Sequence, residues 1–204
     1  MKELRAEDQV ELMKAIRRIA GACGVLGPII SILATLVSIF LNPWFNLTNP
    51  WLTELGAAGA SYPFVFNFGI ALGGILLLVF ALGLFELVGR LSGRAGVSLL
   101  LVSVISFIAI GIFPLGTVPH KPLTAIFFAL FGVALLLIGV DFARNPFERK
   151  WGVVSLVLAG VLLIGLPIDW YVIGCALTGG IGMLLIFMWF ILTGIRLLIT
   201  STIK

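Results

Sequence analysis

The chain has 204 residues, of which 61% are hydrophobic and only 11% are charged. Soluble domains are roughly half apolar and a quarter charged, so a soluble fold could not bury the apolar surface of this chain. The net charge of +4 is not accompanied by a basic face with interleaved aromatic residues, so the sequence predicts no nucleic-acid partner.

Six apolar runs are each long enough to cross about 30 Å of hydrocarbon as an α-helix. A helix also satisfies its own backbone hydrogen bonds, as lipid requires. The predicted fold is therefore all-α: a polytopic membrane protein built as a bundle of six transmembrane helices. The runs cover residues 19–41, 63–87, 95–114, 122–141, 151–168 and 171–195.

The segment before the first run, residues 1–18, is the only strongly charged stretch of the chain. Its apolar residues, from Val10 to Ile16, fall partly on one helical face, so we expect a short amphipathic helix at the inner membrane surface. The predicted organisation is this cytoplasmic segment followed by one six-helix transmembrane domain, residues 19–204.

The basic residues are distributed asymmetrically between the connections. Of the 13 Lys and Arg residues, all except Lys121 lie before the first run, after the last run, or in the second and fourth connections. Positive charge is retained in the cytoplasm. The sequence therefore predicts a multi-pass protein of the cell membrane with both termini in the cytoplasm.

The long connection between the first two runs has helix start and stop signals. Asn49 can cap a helix, Pro50 suits its first position, and Gly56 can end it. Trp44 and Trp51 suit the headgroup region, where indole rings concentrate. We expect a short interfacial helix in this outer loop.

Four polar residues fall at the predicted outer side: Glu54, Asn67, His120 and Asp169. They could converge on an outward-facing pocket, where a carboxylate beside His120 could transfer a proton or hold an ion. The alternative is that Asp169 is a helix N-cap and His120 a capping or loop residue. Because the chain has one His and two Cys, no metal site is expected, and no cofactor motif is present.

At the inner side, Glu86 precedes Arg90 by four residues and Asp141 precedes Arg144 by three. These spacings favour an ion pair within each helix, with a proton relay as the alternative. The glycines of the runs predict close helix packing, and the stretch 179–182 could instead line a cavity.

Several segments at the outer side resemble the DUF998 family of prokaryotic membrane proteins, over nearly the whole chain. The family usually has Ser-Asp-Leu-Gly where this chain has Thr-Glu-Leu-Gly, so the hydroxyl and the carboxylate are kept. The resemblance implies six helices and a distant relation to the FRAG1, DRAM and Sfk1 group, which is associated with membrane lipids. It rests on Asn42-Pro43-Trp44-Phe45, Thr53-Glu54-Leu55-Gly56, Phe66-Asn67-Phe68-Gly69, Gly111-Ile112-Phe113-Pro114, His120 and Trp189.

The favoured hypothesis is a protein that binds a lipid or another amphiphile in a pocket open to the outer leaflet. One alternative is a membrane-embedded lipid hydrolase or transferase that uses His120 as base with Glu54 or Asp169, and another is a small-molecule transporter. The predicted partners are membrane lipids, and homo-oligomerisation is left open. The candidate ligand-binding residues are Trp44, Trp51, Glu54, Asn67, His120, Asp169 and Trp189.

Overall fold

The computed structural model describes residues 6–48, 51–168 and 176–202, and within them it contains six long α-helices, one short 3-10 helix and no strand. The 3-10 helix, Leu52–Gly56, lies in the long connection after the first helix. The long helices are α1 (Ala6–Leu41), α2 (Pro63–Leu84), α3 (Leu91–Ile112), α4 (His120–Ala143), α5 (Arg149–Ile168) and α6 (Ala176–Thr202).

Among the described residues, five helices are long and apolar enough to cross a membrane, namely α1 to α4 and α6. Helix α5 has 20 residues, which is the length that a span requires. The structure thus confirms the prediction of an all-α, polytopic membrane protein with a short helix in the first long connection. We call the end of the bundle that carries this connection the loop end, and the opposite end the basic end.

Helices that follow one another in the chain pack side by side from α1 to α5, and α6 packs on α1. The closest approaches occur at glycines, as predicted. A Cβ atom on Gly69 would overlap Ala34, and one on Gly73 would overlap Ser31, so only glycine lets α2 approach α1 this closely. A Cβ on Gly21 would come within 2.7 Å of the Gly194 carbonyl oxygen, and α1 and α6 therefore also meet through glycines.

The middle of the bundle is filled by four large aromatic side chains. Phe80, Phe131, Trp189 and Phe190 are almost completely buried, and their ring centroids lie 5.4 to 6.2 Å apart in mostly edge-to-face pairs. We call this group the aromatic plug.

Helix α1 is longer than the sequence pattern indicated. It is continuous from Ala6 to Leu41, so the charged residues are a helical extension of the first span and not a separate short helix. Residues 1–5 lie outside the described part. The division of the chain into a cytoplasmic segment and a transmembrane domain remains a prediction.

The predicted ion pairs at the basic end are wrong. No ion pair joins Glu86 to Arg90 or Asp141 to Arg144 within the described residues. The carboxylate of Asp141 instead accepts hydrogen bonds from the backbone N–H groups of Gly89, at 3.3 Å, and Arg90, at 3.1 Å. Asp141 is buried and connects α4 to the α2–α3 connection, because unpaired N–H groups before a helix attract a carboxylate.

Candidate functional site

A cavity of about 350 Å³ lies between the loop-end halves of α1, α2, α3, α4 and α6, beneath the connection between α1 and α2. Its deepest wall is aromatic. Phe107 and Phe127 stack with their centroids 4.9 Å apart, and Phe187 meets Phe107 edge to face at 6.1 Å. We call this space the loop-end cavity.

The walls of the loop-end cavity present hydrocarbon. The hydroxyl of Thr35 donates to the Ser31 carbonyl at 2.8 Å, and that of Thr124 donates to the His120 carbonyl at 2.9 Å. Both hydroxyl protons are thus taken by the helix backbone, so these residues offer mainly their methyl groups to a ligand. The remaining wall is dominated by Ile, Leu and Phe side chains, which select an apolar guest.

Several wall residues also lie at the outer surface of the bundle. Leu36 on α1 and Leu177, Ile181 and Leu184 on α6 line the cavity while about half of each side chain is exposed. These residues therefore border both the cavity and the outer surface of α1 and α6.

Asn42 organises the connection that roofs the cavity. Its Nδ2 donates to the carbonyl oxygens of Ser38 at 2.8 Å and Ser61 at 3.1 Å. Its Oδ1 accepts from the Ser61 N–H at 2.7 Å and from the Trp44 Nε1–H at 3.0 Å. One fully buried amide thus joins the two ends of the connection and positions Trp44.

The 3-10 helix is held on top of α2 by Asn67. The Nδ2 of Asn67 donates to the Gly56 carbonyl at 2.9 Å, and a Cβ atom on Gly56 would overlap the Asn67 side chain. The connection is also joined to α6, because the Leu177 N–H donates to the Leu47 carbonyl at 3.0 Å. The roof of the cavity is therefore attached to α1, α2 and α6.

The predicted cap of this short helix needs correction. The residue that precedes the first helical position is Trp51, with extended backbone and no side-chain cap hydrogen bond, and the helix begins only at Leu52. The helix is a 3-10 helix of five residues that includes Gly56, and the residue after its last position is Ala57. Asn49 and Pro50 themselves lie outside the described residues.

Of the predicted ligand-binding residues, Trp51 lines the loop-end cavity. Glu54 follows Thr53, another wall residue, on the 3-10 helix but is not itself among the residues that line the cavity. Trp44 lies in the same connection and is half-exposed. The structure thus brings Trp51 to the wall of the cavity, while Asn67 holds the 3-10 helix on α2.

His120 and Trp189 have different surroundings. His120 is buried at the start of α4, where its Nδ1 is hydrogen-bonded to the Phe113 carbonyl at 2.8 Å across the α3–α4 connection. Trp189 belongs to the aromatic plug, and its Nε1–H donates to the Ser155 hydroxyl at 2.9 Å. Asp169, the remaining candidate, lies outside the described residues.

Sequence reasoning selected polar and aromatic residues and missed the apolar wall. In the sequence, Phe107 and Phe127 are typical residues of membrane-spanning helices, and no local pattern indicates that they line a cavity. One signal was available in the glycines of α6, since Gly179 and Gly180 do line the cavity. Asn42 was noticed only within a family motif. It directly follows the first apolar run, where a polar residue can form hydrogen bonds to the next connection.

Comparison with known proteins gives one family. A family model described as "Protein of unknown function (DUF998)" matches residues 25–196, which include all six helices in whole or in part. No curated protein and no solved structure matches the chain. The match covers most of the chain, and the protein therefore belongs to the DUF998 family.

Proposed function

We propose that this protein binds the hydrocarbon chain of a membrane lipid or another amphiphile in the loop-end cavity. The observation that carries the proposal is a cavity of about 350 Å³ with hydrocarbon walls, some of whose residues on α1 and α6 are also half-exposed at the surface of the bundle. Its volume falls in the range of small-molecule sites, roughly 300 to 1,000 Å³.

The depth of the cavity supports a single chain from one leaflet. Its wall on α6 extends from Ala176 to Phe187, which corresponds to roughly 16 Å at about 1.5 Å per residue. Half of the hydrocarbon core of a bilayer is about 15 Å thick. A chain that enters from the near leaflet would therefore end at the aromatic wall of Phe107, Phe127 and Phe187.

An apolar guest would also improve packing. Side chains that face an empty space lose dispersion contacts on that side, and a water molecule would find few polar partners among these walls. Acyl chains are the apolar groups at highest concentration beside the opening. The polar head of such a ligand would lie toward the connection between α1 and α2, which carries Trp44, Trp51 and Glu54.

The proposal is tested by filling the cavity. Gly180 lines it, and an added Cβ would meet the flexible end of the Leu52 side chain at 3.3 Å, so Gly180→Leu should place a side chain inside. The matched control is Gly160→Leu on α5, where an added Cβ meets nothing within 4 Å. The measurement is binding of a fluorescent single-chain fatty acid to purified protein.

We expect Gly180→Leu to weaken binding about fivefold or more, because overpacking a filled site costs about 1–3 kcal/mol, while Gly160→Leu binds like wild type. Equal affinity in all three proteins would overturn the proposal.

Incubation of the protein with phospholipid distinguishes lipid binding from the enzymatic hypothesis. Release of headgroup products by wild type and not by His120→Asn, which can still bond the Phe113 carbonyl, would indicate an enzyme.

A further inference from the structure

A second concave surface lies at the basic end, between the α2–α3 and α4–α5 connections, with a volume of about 450 Å³. Asp141, near the end of α4, holds the α2–α3 connection through its bonds to the Gly89 and Arg90 N–H groups. Arg90 lines the groove from one connection and Arg144 from the other. We call this surface the basic-end groove.

The groove offers unused hydrogen-bond donors. Within the described part of the chain neither Arg90 nor Arg144 takes part in an ion pair, although Glu148 is paired with Arg196 nearby. Asn145 accepts the Phe147 N–H through its Oδ1 at 3.2 Å, and no acceptor among the described residues binds its Nδ2. Two guanidinium groups and one amide thus face a common space.

The acidic residue of the groove is already engaged. Asp141 is buried, and each of its carboxylate oxygens accepts a backbone N–H, so its charge is partly offset by the groups that it orders. The exposed charges that remain are the two arginines. Guanidinium groups on two sides of a groove match the oxygens of a phosphate, which they bind through paired hydrogen bonds.

The edges of the groove are apolar. Leu91 follows Arg90 and is 84% exposed, and Phe147 lies just beyond the groove residue Pro146 and is 93% exposed. Large apolar side chains this exposed are suited to the membrane interface, where their neighbours are acyl chains. The groove therefore combines phosphate-binding groups with flanks suited to lipid.

We propose that the basic-end groove binds the phosphate group of an anionic membrane lipid, with Arg90 and Arg144 as its principal ligands. Basic pockets between helices on the cytoplasmic side of membrane proteins take such headgroups, and the charge distribution predicts that this end is cytoplasmic. The site is separate from the loop-end cavity and does not depend on it.

The test uses full-length protein in a nonionic detergent, titrated with short-chain phosphatidylglycerol, with phosphatidylcholine of the same chains, and with glycerol phosphate. Binding is followed by native mass spectrometry. The test variant is Arg90→Gln with Arg144→Gln. Arg90→Gln retains the backbone N–H that Asp141 binds, so the fold of the connection is preserved. The control variant removes two exposed charges outside the groove, Arg18→Gln with Lys150→Gln.

We expect wild type and control to prefer phosphatidylglycerol, and the groove variant to bind it at least about tenfold more weakly, since a hydrogen bond to a charged group contributes about 1.5–3 kcal/mol. Glycerol phosphate that binds as tightly as the lipid, and loses affinity in the groove variant, would identify a soluble phosphate as the ligand. Equal losses in both variants, or no preference in wild type, would overturn the proposal.

Discussion

One buried polar residue, Asn42, joins the two ends of the connection between α1 and α2. Its amide makes four hydrogen bonds, to Ser38, Trp44 and both backbone groups of Ser61, and it is completely buried. A side-chain amide is stable in a buried position when its N–H and C=O groups are hydrogen-bonded. Each buried polar group that is left without a hydrogen bond costs about 1–3 kcal/mol of folding free energy.

We expect Asn42→Ala to lower the free energy of unfolding by about 2–4 kcal/mol, because it leaves the Ser61 N–H and C=O without their partner. Thermal unfolding in detergent measures the change. Asn46→Ala is the control in the same connection: Asn46 is exposed and accepts a hydrogen bond from the Thr48 N–H, two residues away, and a change within about 0.5 kcal/mol is expected. Equal stability of Asn42→Ala and wild type would show that the loop does not need this residue.

The contacts of Trp189 and His120 could not be predicted from the sequence. His120 was selected as an ionisable group at the outer side, and Trp189 through the resemblance to the DUF998 family. In the structure Trp189 bonds Ser155, which is 34 residues away, and His120 bonds the Phe113 carbonyl. Such partners are set by helix packing, which the order of the residues does not reveal.

At the scale of elements, helices α5 and α6 are joined mainly by specific side chains. Helix α5 packs on α4 through glycines, as at Gly152, where a Cβ would overlap the Ala143 backbone, and α6 packs on α1. Between α5 and α6 the Trp189–Ser155 hydrogen bond and the Arg196–Glu148 ion pair provide the link. The guanidinium of Arg196 also lies 5.7 Å from the Trp151 ring centroid.

The Trp189–Ser155 bond should therefore show measurable coupling. Trp189→Phe keeps an aromatic ring in the plug and Ser155→Ala removes the acceptor, and each is expected to cost about 1 kcal/mol of unfolding free energy. A double-mutant cycle in detergent should give a coupling energy of at least about 0.5 kcal/mol. Strict additivity of the two changes would mean that the hydrogen bond does not hold α5 to α6.

The positions of the six helices could be predicted from the sequence, but their first and last residues could not. All six runs became helices because length and apolar content suffice for a span. Some observed helix ends lie beyond the ends of the apolar runs. Hydropathy falls at the first charged residue, whereas the backbone hydrogen-bond pattern of the helix continues past it. Arg94, for example, lies in the first turn of α3, which begins at Leu91 and not at residue 95.

At the scale of the whole molecule, the charge asymmetry predicts that the loop end faces outward. In a variant with Cys23 and Cys175 replaced by serine, Thr48→Cys should react with a membrane-impermeant maleimide on intact cells, because Thr48 lies in the exposed connection. A cysteine introduced at Asn145, at the opposite end, is the matched control and should react only after permeabilisation. The reverse pattern would invert the topology.

The central claim is that the loop-end cavity holds a hydrocarbon chain, and its most direct test is an experimental structure of the protein extracted with its native membrane lipids. We predict continuous chain density that enters between Leu36 and Leu184 and ends against Phe107, Phe127 and Phe187. A cavity closed by rotated side chains, or occupied only by ordered water, would contradict the account.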